Sequence, residues 1–440
     1  MKPTFIRELF ARHFSSQALE RLAVLCARYP LWMRPDVIRA IGHVLDSHAV
    51  FHGVRLRNSS AEFRLNDLME GGRTGAVAGP PAYDDVDVGD AEPLRCPQRG
   101  LWLARDGGAP VAVLIETDDG YRHGRVRLEI AAANEADAAD VLHRIRALAA
   151  HAETFRGKVL APAREEAEFG ESATTLRLAR LSPVAREQIV LAPGVLELVE
   201  RSTLGFAAHC DALVGFGMSA QKGLLLYGPP GTGKTMLVRY LAGALPAYTK
   251  LLLAGDRMGW LAETVEAARR LSPAMVVIED VDLVAADREG PWQQSPATLN
   301  RMLNEMDGAG PDARVLFVLT TNRPEVLEPA LAARPGRVDQ SIEISLPEDR
   351  ERRLLLRRYA GGLQPGEELI AQVSRRIGKV SPAFIKELCR RAAQMMLERA
   401  GARLEPEDFE TAFEDMLTRG GSIATRLLGA ERFGFTATPA

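Results

Sequence analysis

Short apolar runs alternate with helical stretches over residues 182–346. The runs have strand length and are rich in leucine and β-branched residues. Strands that alternate with helices predict a parallel sheet covered on both faces. Five strands are predicted, at residues 224–227, 249–253, 275–278, 315–319 and 341–344. From 347 to 419 the spacing is helical, and Ser381 and Pro382 suit a helix N-cap and first position. The pattern predicts an α/β domain followed by a helical lid.

The first 181 residues have a less regular pattern. Residues 1–57 carry apolar positions at helical spacing and predict a helical N-terminal region. Residues 58–98 are rich in glycine, aspartate and proline, which predicts a flexible linker. Residues 99–181 hold strand-like runs separated by turns and then an alanine-rich helix from about 135 to 151, so we expect a small α+β domain. That domain is either an adaptor for a partner or packing for the neighbouring domain. Residues 420–440 form a tail without recognisable chemistry.

Composition narrows the class of protein. The chain has 440 residues, 46% hydrophobic and 26% charged, with a net charge of -3, so it has no general attraction for nucleic acid or anionic lipid. The four cysteines are scattered without metal-ligand spacing, which argues against a zinc site or a disulfide framework. No apolar stretch approaches the roughly 20 residues of a membrane helix. We expect a soluble, cytoplasmic protein that does not contact a membrane.

A phosphate-binding loop follows the first predicted strand of the α/β domain. Residues 228–235 match the pattern G-x-x-x-x-G-K-[ST] in full, and a helix with apolar periodicity follows. Glycines let backbone N–H groups turn toward phosphates, and the helix N-terminus adds partial positive charge. Lys234 is expected to neutralise the β- and γ-phosphates of ATP, and the Thr235 hydroxyl to bind Mg²⁺. The predicted nucleotide-binding residues are Gly228, Pro229, Pro230, Gly231, Thr232, Gly233, Lys234, Thr235 and Met236.

An acidic cluster ends the predicted strand at 275–278. A strand buried on both faces forms a continuous apolar run, and this run leads directly into Glu279, Asp280 and, two residues later, Asp282. One carboxylate is needed to organise Mg²⁺ and a second to polarise the attacking water. We expect Glu279 to organise Mg²⁺ and Asp280 to polarise the attacking water. Asp282 is a fallback candidate for this chemistry, although helix capping is favoured for it.

With both motifs in place, the chain resembles the AAA family of ATPases over about residues 190–418. Residues 304–308 look like the family's intersubunit signalling segment, and residues 319–324 look like its sensor-1 strand end. Residues 329–331 and 334–339 look like its arginine-finger segment. The resemblance implies an α/β P-loop NTPase fold with a five-stranded parallel sheet and helical lid. It also implies ATP and Mg²⁺ as cofactors and self-assembly into a ring, usually a hexamer.

The resemblance also implies roles for individual residues. Asn322 would hold the attacking water or the γ-phosphate. Arg334 and Arg337 would reach the γ-phosphate bound by the next subunit, a task that suits the planar, permanently charged guanidinium. Three residues match the lid segment that packs near the adenine, namely Gly378, Ser381 and Ala383.

Two features depart from the family pattern. Most members read Asp-Glu where this chain reads Glu279-Asp280, an inversion found in a branch resembling the mitochondrial translocase of a folded iron–sulfur protein. Because a misplacement near 1 Å can cost on the order of 100-fold in rate, we expect slow hydrolysis. The segment 254–261 is also shorter than a usual pore loop. Met258 and Trp260 are either a modified pore grip or, for Trp260, the anchor of the next helix.

These features support three functional hypotheses. The first is an ATP-driven remodeller of an unknown protein client, similar to a chaperone. The second is a nucleotide-gated assembly scaffold with slow turnover, which the inverted acids and the short loop favour. The third is a nucleic-acid motor, against which the charge balance and the lack of a basic-aromatic segment argue. A P-loop kinase is a fourth possibility that Arg334 and Arg337 disfavour.

Overall fold

The chain forms two compact units, Met1–Arg180 and Leu181–Ala440, in the computed structural model. The sequence-based boundary lies at 181/182, within two residues of this division. The structure describes residues 5–14, 19–55, 64–70, 76–118, 125–151, 153–165, 173–282, 302–306, 313–325, 327 and 338–416.

The first unit is built on a six-stranded antiparallel sheet with the strand order β1-β8-β7-β6-β2-β3. The bounds of its strands are β1 Ala23–Pro30, β2 Val50–Arg55, β3 Val77–Gly79, β6 Arg99–Asp106, β7 Ala109–Asp118 and β8 Arg125–Ala132. Two further antiparallel pairs lie outside this sheet, β4 Tyr83–Val86 with β5 Leu94–Pro97, and β9 Val159–Glu165 with β10 Ala173–Leu178.

Four α-helices are described in the first unit. Their bounds are α1 Ile6–His13, α2 Arg34–Val44, α3 Leu65–Glu70 and α4 Glu135–Ala150. Apolar side chains of α1 and α3 pack with one face of the sheet, including Ala112 and Leu114 of β7. The alternate β7 residues Val111 and Val113 are buried too, and because successive side chains point to opposite faces, both faces of the sheet are covered. The α4 helix lies within one residue of its predicted span.

A buried charged cluster joins β7, β8 and α3. The Arg127 guanidinium donates to Glu116, the residue opposite it on β7, and its Nε lies 3.3 Å from Glu129 Oε1. The second oxygen of Glu129 accepts a hydrogen bond of 2.6 Å from the backbone N–H of Leu65, where α3 begins. All three charged side chains are at most 6% exposed. Each therefore depends on the others for compensation of its buried charge.

The prediction of a wholly helical region over residues 1–57 is wrong. Helices α1 and α2 do form there, but β1 and β2 form as well. β1 is an edge strand of the main sheet, paired with β8 alone, and its exposure alternates only in its second half. A short, partly buried run of this kind carries a periodicity that fits either a helix or a strand.

The predicted linker over residues 58–98 is also wrong where the structure describes it, at 64–70 and 76–98. These residues form α3, β3, β4 and β5. The carboxylate of Asp84 accepts hydrogen bonds from Arg34 and from the Gln98 amide, both of 2.6 Å. A Cβ on Gly53 would lie 2.5 Å from Pro81, so the proline turn packs directly against β2. The glycines, prolines and aspartates here serve tight packing and hydrogen bonding rather than flexibility.

The second unit contributes five parallel strands in the order β12-β13-β14-β11-β15. Their bounds are β11 Gln221–Tyr227, β12 Thr249–Ala254, β13 Ala274–Glu279, β14 Val315–Thr321 and β15 Gln340–Glu343. Each overlaps a strand predicted from the apolar runs. Strands β11 to β14 are buried along most of their length, as expected for a parallel sheet between helical layers, whereas in the edge strand β15 only Ile342 is buried. The predicted α/β P-loop NTPase fold is confirmed.

Helices flank this sheet and form the lid. The bounds are α5 Val195–Glu200, α6 Phe206–Gly215, α7 Lys234–Ala244 and α8 Leu261–Arg270, and in the lid α9 Asp349–Tyr359, α10 Glu367–Ile377, α11 Pro382–Glu398 and α12 Pro406–Glu414. A π-helical turn joins α5 to α6. Ser381 caps α11 by accepting from the Phe384 N–H, with Pro382 in the first turn, as the sequence predicts. No described helix has the length and hydropathy needed to cross a membrane.

Replacement of Arg127 by alanine tests the buried cluster. Glu116 and Glu129 would remain buried without their shared counter-charge, so we expect the first unit to lose about 3 kcal/mol of unfolding free energy. Urea titration of the full chain, followed by hydrogen exchange in peptides from β7 and β8, measures this loss. Arg99→Ala is the control, because Arg99 also faces Glu116 but is 41% exposed and should contribute less than about 1 kcal/mol. Equal losses of unfolding free energy in the two variants would contradict the role of Arg127 as the counter-charge of Glu116 and Glu129.

Candidate functional site

The phosphate loop connects the end of β11 to the start of α7. Its three glycines, Gly228, Gly231 and Gly233, have positive φ angles of 144°, 73° and 108°. Residues with a Cβ rarely adopt this region, so the loop depends on glycine at these positions. Gly233 directly precedes α7, which orients the first N–H groups of the helix toward the loop.

Two of these glycines also permit close packing. A Cβ on Gly228 would lie 2.3 Å from the carbonyl oxygen of Ile344, just after β15. A Cβ on Gly231 would lie 2.9 Å from the Cβ of Ala383 in the lid, and the Ala383 N–H donates to the Gly231 carbonyl over 3.2 Å. The predicted lid residues Ser381 and Ala383 therefore contact the phosphate loop. Gly378, which has a φ of 62°, ends α10.

Lys234 is buried, with 6% of its surface exposed, and its ammonium points into the loop. Nζ donates hydrogen bonds to the carbonyl oxygens of Gly228, at 2.8 Å, and Pro229, at 2.9 Å. Desolvation lowers the pKa of Lys234 to about 8, although the nearby charges of Asp280 and Asp282 oppose that shift. The next residue, Thr235, is exposed, so its hydroxyl is accessible at the helix N-terminus.

The carboxylate of Asp280 and the amide of Asn322 meet at the carboxyl ends of neighbouring strands. Asp280 follows β13 and has a φ of 50°, in the left-handed region. Its backbone N–H donates to the Thr320 hydroxyl over 3.1 Å, which ties the end of β13 to β14. The Asn322 side chain donates from Nδ2 to Asp280 Oδ1 over 3.0 Å. The structure therefore brings together the two residues predicted to handle the attacking water.

The carboxylate of Asp282 binds the end of β14. The residues that follow it, 283–301, lie outside the described part of the chain, so helix capping by Asp282 stays a prediction. Oδ1 accepts from the Thr321 hydroxyl over 2.7 Å and from the Asn322 N–H over 3.2 Å. Asp282 is 7% exposed and Thr321 is fully buried. The carboxylate thus fixes the backbone that carries Asn322.

The segment after β12 lies directly beside the acidic strand end. A Cβ on Gly255 would lie 2.4 Å from the carbonyl oxygen of Asp280, so only glycine fits there without displacement. Met258 and Trp260, the residues considered for a pore grip, are both half-buried. Trp260 immediately precedes α8, and its carbonyl oxygen accepts from the Thr264 hydroxyl over 2.8 Å. Trp260 is therefore part of the junction with the helix.

The residues expected to hold Mg²⁺ fit that ion. Glu279 Oε1 is buried and has no hydrogen-bond partner among the residues that the structure describes. A buried carboxylate oxygen without a donor is costly, and a cation or its water shell would compensate it. Together with the Thr235 hydroxyl, Glu279 offers the hard oxygen donors that Mg²⁺ prefers.

Some predicted residues cannot be placed. Arg334 and Arg337, residues 329–331 and residues 307–308 lie outside the described part of the chain. Thr320, Thr321 and Gly255 lie within segments named in the sequence analysis, 319–324 and 254–261, but no role was assigned to any of the three. The signal for the threonines was their place in the sensor-1 segment, at the polar end of an apolar run.

The sequence matches the model of the AAA family, described as the ATPase family associated with various cellular activities, over residues 224–346. A 26S proteasome regulatory subunit 6B homolog of Encephalitozoon cuniculi is 33% identical over 221 residues, which cover 47% of this chain and 56% of the relative. The ATP-dependent zinc metalloprotease FtsH 3 of Sphaerobacter thermophilus is 36% identical over 226 residues, or 49% and 46% of the two chains. The chain thus spans about half the length of these curated relatives.

The lowered pKa of Lys234 predicts a pH-dependent affinity for nucleoside triphosphate. Bound phosphate favours the charged lysine and so raises its pKa in the complex. Affinity should be nearly complete at about pH 7 and fall as the pH rises through the pKa of about 8, by about tenfold between pH 7 and pH 9. Titration with a fluorescent ATP analogue at several pH values measures this dependence.

Lys234→Arg is the matched control for that titration, because the guanidinium stays charged throughout this range. The affinity of this variant for the ATP analogue should be no higher than that of the wild type, and it should not change with pH. A wild-type affinity that also does not change between pH 7 and pH 9 would show that the pKa of Lys234 lies outside this range.

Proposed function

We propose that this chain, an ATP hydrolase with an AAA domain over residues 224–346, couples Mg-ATP hydrolysis to the remodelling of a partner protein within an oligomeric ring. One observation carries the proposal. The phosphate loop, the acidic end of β13 and Asn322 at the end of β14 converge at one edge of a parallel sheet. In open α/β sheets this edge is where ligands bind.

The phosphate loop supplies binding and charge compensation. Backbone N–H groups between Gly231 and Thr235 would cradle the β- and γ-phosphates, while Lys234 exchanges its two carbonyl hydrogen bonds for phosphate oxygens. The lid contact of Ala383 with Gly231 makes the loop sensitive to the position of the lid. Nucleotide binding and lid position are therefore coupled in this proposal.

Asp280 acts on the attacking water. Its Oδ1 is occupied by the Asn322 amide, which leaves Oδ2 to accept a proton from water as it attacks the γ-phosphorus. Asn322 orients the carboxylate and, through its carbonyl oxygen, accepts a hydrogen bond from the water. The γ-phosphate leaves ADP, and the proton taken by Asp280 is released to solvent.

Magnesium would be held by the Thr235 hydroxyl and by Glu279. When bound, Mg²⁺ neutralises charge on the β- and γ-phosphate oxygens. Glu279 Oε1 is buried and has no donor within the described part of the chain, which supports the assignment of Glu279 to Mg²⁺ and of Asp280 to the water.

A ring assembly would complete the site. We infer from the family resemblance that Arg334 and Arg337 reach the γ-phosphate bound by the neighbouring subunit in a homo-oligomer, usually a hexamer. In related phosphoryl-transfer systems such an arginine contributes about 10³–10⁵ in rate. The relatives' names, a proteasome regulatory subunit and an ATP-dependent metalloprotease, support a protein client rather than a nucleic acid. We also propose a cytoplasmic location.

A nucleotide-gated scaffold with slow turnover is the second candidate. The observation in its favour is the inverted order of the acids, shared with the translocase branch named above, which puts the shorter carboxylate at the water position. In this function ATP binding assembles the ring and hydrolysis only resets it. The rate of turnover in assembled rings distinguishes the two candidates.

Replacement of Asp280 by asparagine separates binding from hydrolysis. Asparagine tolerates the left-handed backbone of residue 280 and has almost the same shape, but it cannot accept the proton. We expect kcat to fall by about 100-fold or more while ATP affinity stays within about threefold of wild type. Phosphate release and equilibrium nucleotide binding measure the two quantities. A variant that keeps its full kcat would rule out Asp280 as the base.

Mixed rings test the contribution of the neighbouring subunit. Specific activity should rise with protein concentration, because sites are completed only on assembly. Arg334→Ala subunits mixed with wild type should depress total activity by more than their mole fraction. Arg390→Ala is the control, since Arg390 is an exposed lid residue paired with Glu387. Full specific activity of a demonstrated monomer would exclude a site shared between subunits.

A further inference from the structure

We propose that Asp282 is a positioning residue for hydrolysis, which acts by fixing Asn322 and through it the carboxylate of Asp280. The inference rests on the proposed ATPase function and adds a residue to its machinery. Asp282 would act as a hydrogen-bond acceptor for the sensor strand end, neither as a metal ligand nor as a second base.

The contacts of Asp282 lead toward Asn322. A single oxygen, Oδ1, accepts from the Asn322 backbone N–H and from the Thr321 hydroxyl. The Thr321 hydroxyl in turn accepts from the Arg323 N–H over 3.0 Å. Three consecutive residues, 321 to 323, are therefore held by one buried carboxylate and one buried hydroxyl. The turn that aims the Asn322 side chain has little freedom while these bonds persist.

The same turn determines the geometry of Asp280. Asn322 Nδ2 holds Asp280 Oδ1, while Asp280 N–H is bound to Thr320. A shift of the 321–323 backbone would therefore move the side chain that orients the general base. Because displacement by about 1 Å can cost on the order of 100-fold in rate, such a shift affects turnover far more than nucleotide affinity.

A rival role follows from the charge of Asp282. Its carboxylate interacts electrostatically with Lys234, as that of Asp280 does, so Asp282 could matter only as a negative charge near the phosphate loop. The geometry favours the positioning role, since both hydrogen bonds of Asp282 to described residues go to the end of β14 and the turn after it. Asparagine at position 282 separates the two, because it keeps Oδ1 as an acceptor and loses the charge.

The experiment compares Asp282→Ala and Asp282→Asn in the full chain, with kcat and ATP Kd measured separately. Positioning predicts that alanine lowers kcat by about 10- to 100-fold with Kd within about threefold, and that asparagine restores most of kcat. An asparagine variant as slow as alanine, or a Kd that changes as much as kcat, would overturn the proposal in favour of the charge role.

A matched pair at Thr321 protects against loss of folding in the Asp282 variants. Thr321→Ser keeps the hydroxyl, while Thr321→Val keeps the shape and removes it. Serine should retain near wild-type kcat, and valine should be as slow as Asp282→Ala with a similar Kd. If valine and serine turn over equally, the hydrogen bond to Asp282 does not position the site.

A double-mutant cycle with Asn322→Ala tests whether Asp282 acts through Asn322. Asp282→Ala should add less than about threefold to the loss caused by Asn322→Ala alone, because the group to be positioned is already missing. If the loss of kcat in the double variant equals the product of the two single losses, Asp282 acts independently of Asn322 and the inference is refuted.

Hydrogen exchange gives a readout that does not depend on turnover. The amide of Asn322, bound to Asp282, should exchange faster in Asp282→Ala without a change in peptides from β11. If wild type hydrolyses no ATP in assembled rings, the proposed function itself fails. If wild type is active and Asp282→Ala retains full kcat, the positioning inference alone is wrong.

Discussion

The site depends on hydrogen bonds that tie the end of β13 to the end of β14. Parallel strands bring their carboxyl ends to one edge, but proximity alone does not orient a carboxylate. Here Asp280 is held from two sides, by Thr320 at its N–H and by Asn322 at its side chain. Asp282 holds the turn from which Asn322 projects. Each bond lies within a buried or half-buried edge, where an unmade hydrogen bond is costly, so the arrangement resists small displacements.

The second unit could be predicted from sequence because its local signals agree. Buried parallel strands appear as continuous apolar runs, and the phosphate loop requires glycine at set positions, which the positive φ angles of Gly228, Gly231 and Gly233 explain. The pairings between strand ends could not be predicted in the same way. Which hydroxyl meets Asp280 depends on the register of β13 with β14, in which Ile278 lies opposite Leu319, and no local pattern encodes that register.

The first unit was misjudged for a related reason. Its sheet is antiparallel and its first two strands are separated from their partners by long stretches of chain, since β1 pairs with β8 about 100 residues later. The polar segment around Asp84 looked like a linker because composition does not reveal that a carboxylate is held by a buried arginine such as Arg34. Arg34 is buried although it is charged, and in the pair of Arg127 with Glu116 both charged side chains are buried, so polarity alone does not predict exposure.

The backbone at residue 280 suits the aspartate found there. Residue 280 has a φ of 50°, and aspartate and asparagine tolerate the left-handed region better than other residues with a Cβ. The close approach of Gly255 to the Asp280 carbonyl leaves this peptide little room to adopt another conformation. The backbone would therefore be more strained with glutamate at position 280 than with aspartate. The longer side chain stands instead at 279, where its buried Oε1 has no donor among the described residues and so remains available to a cation.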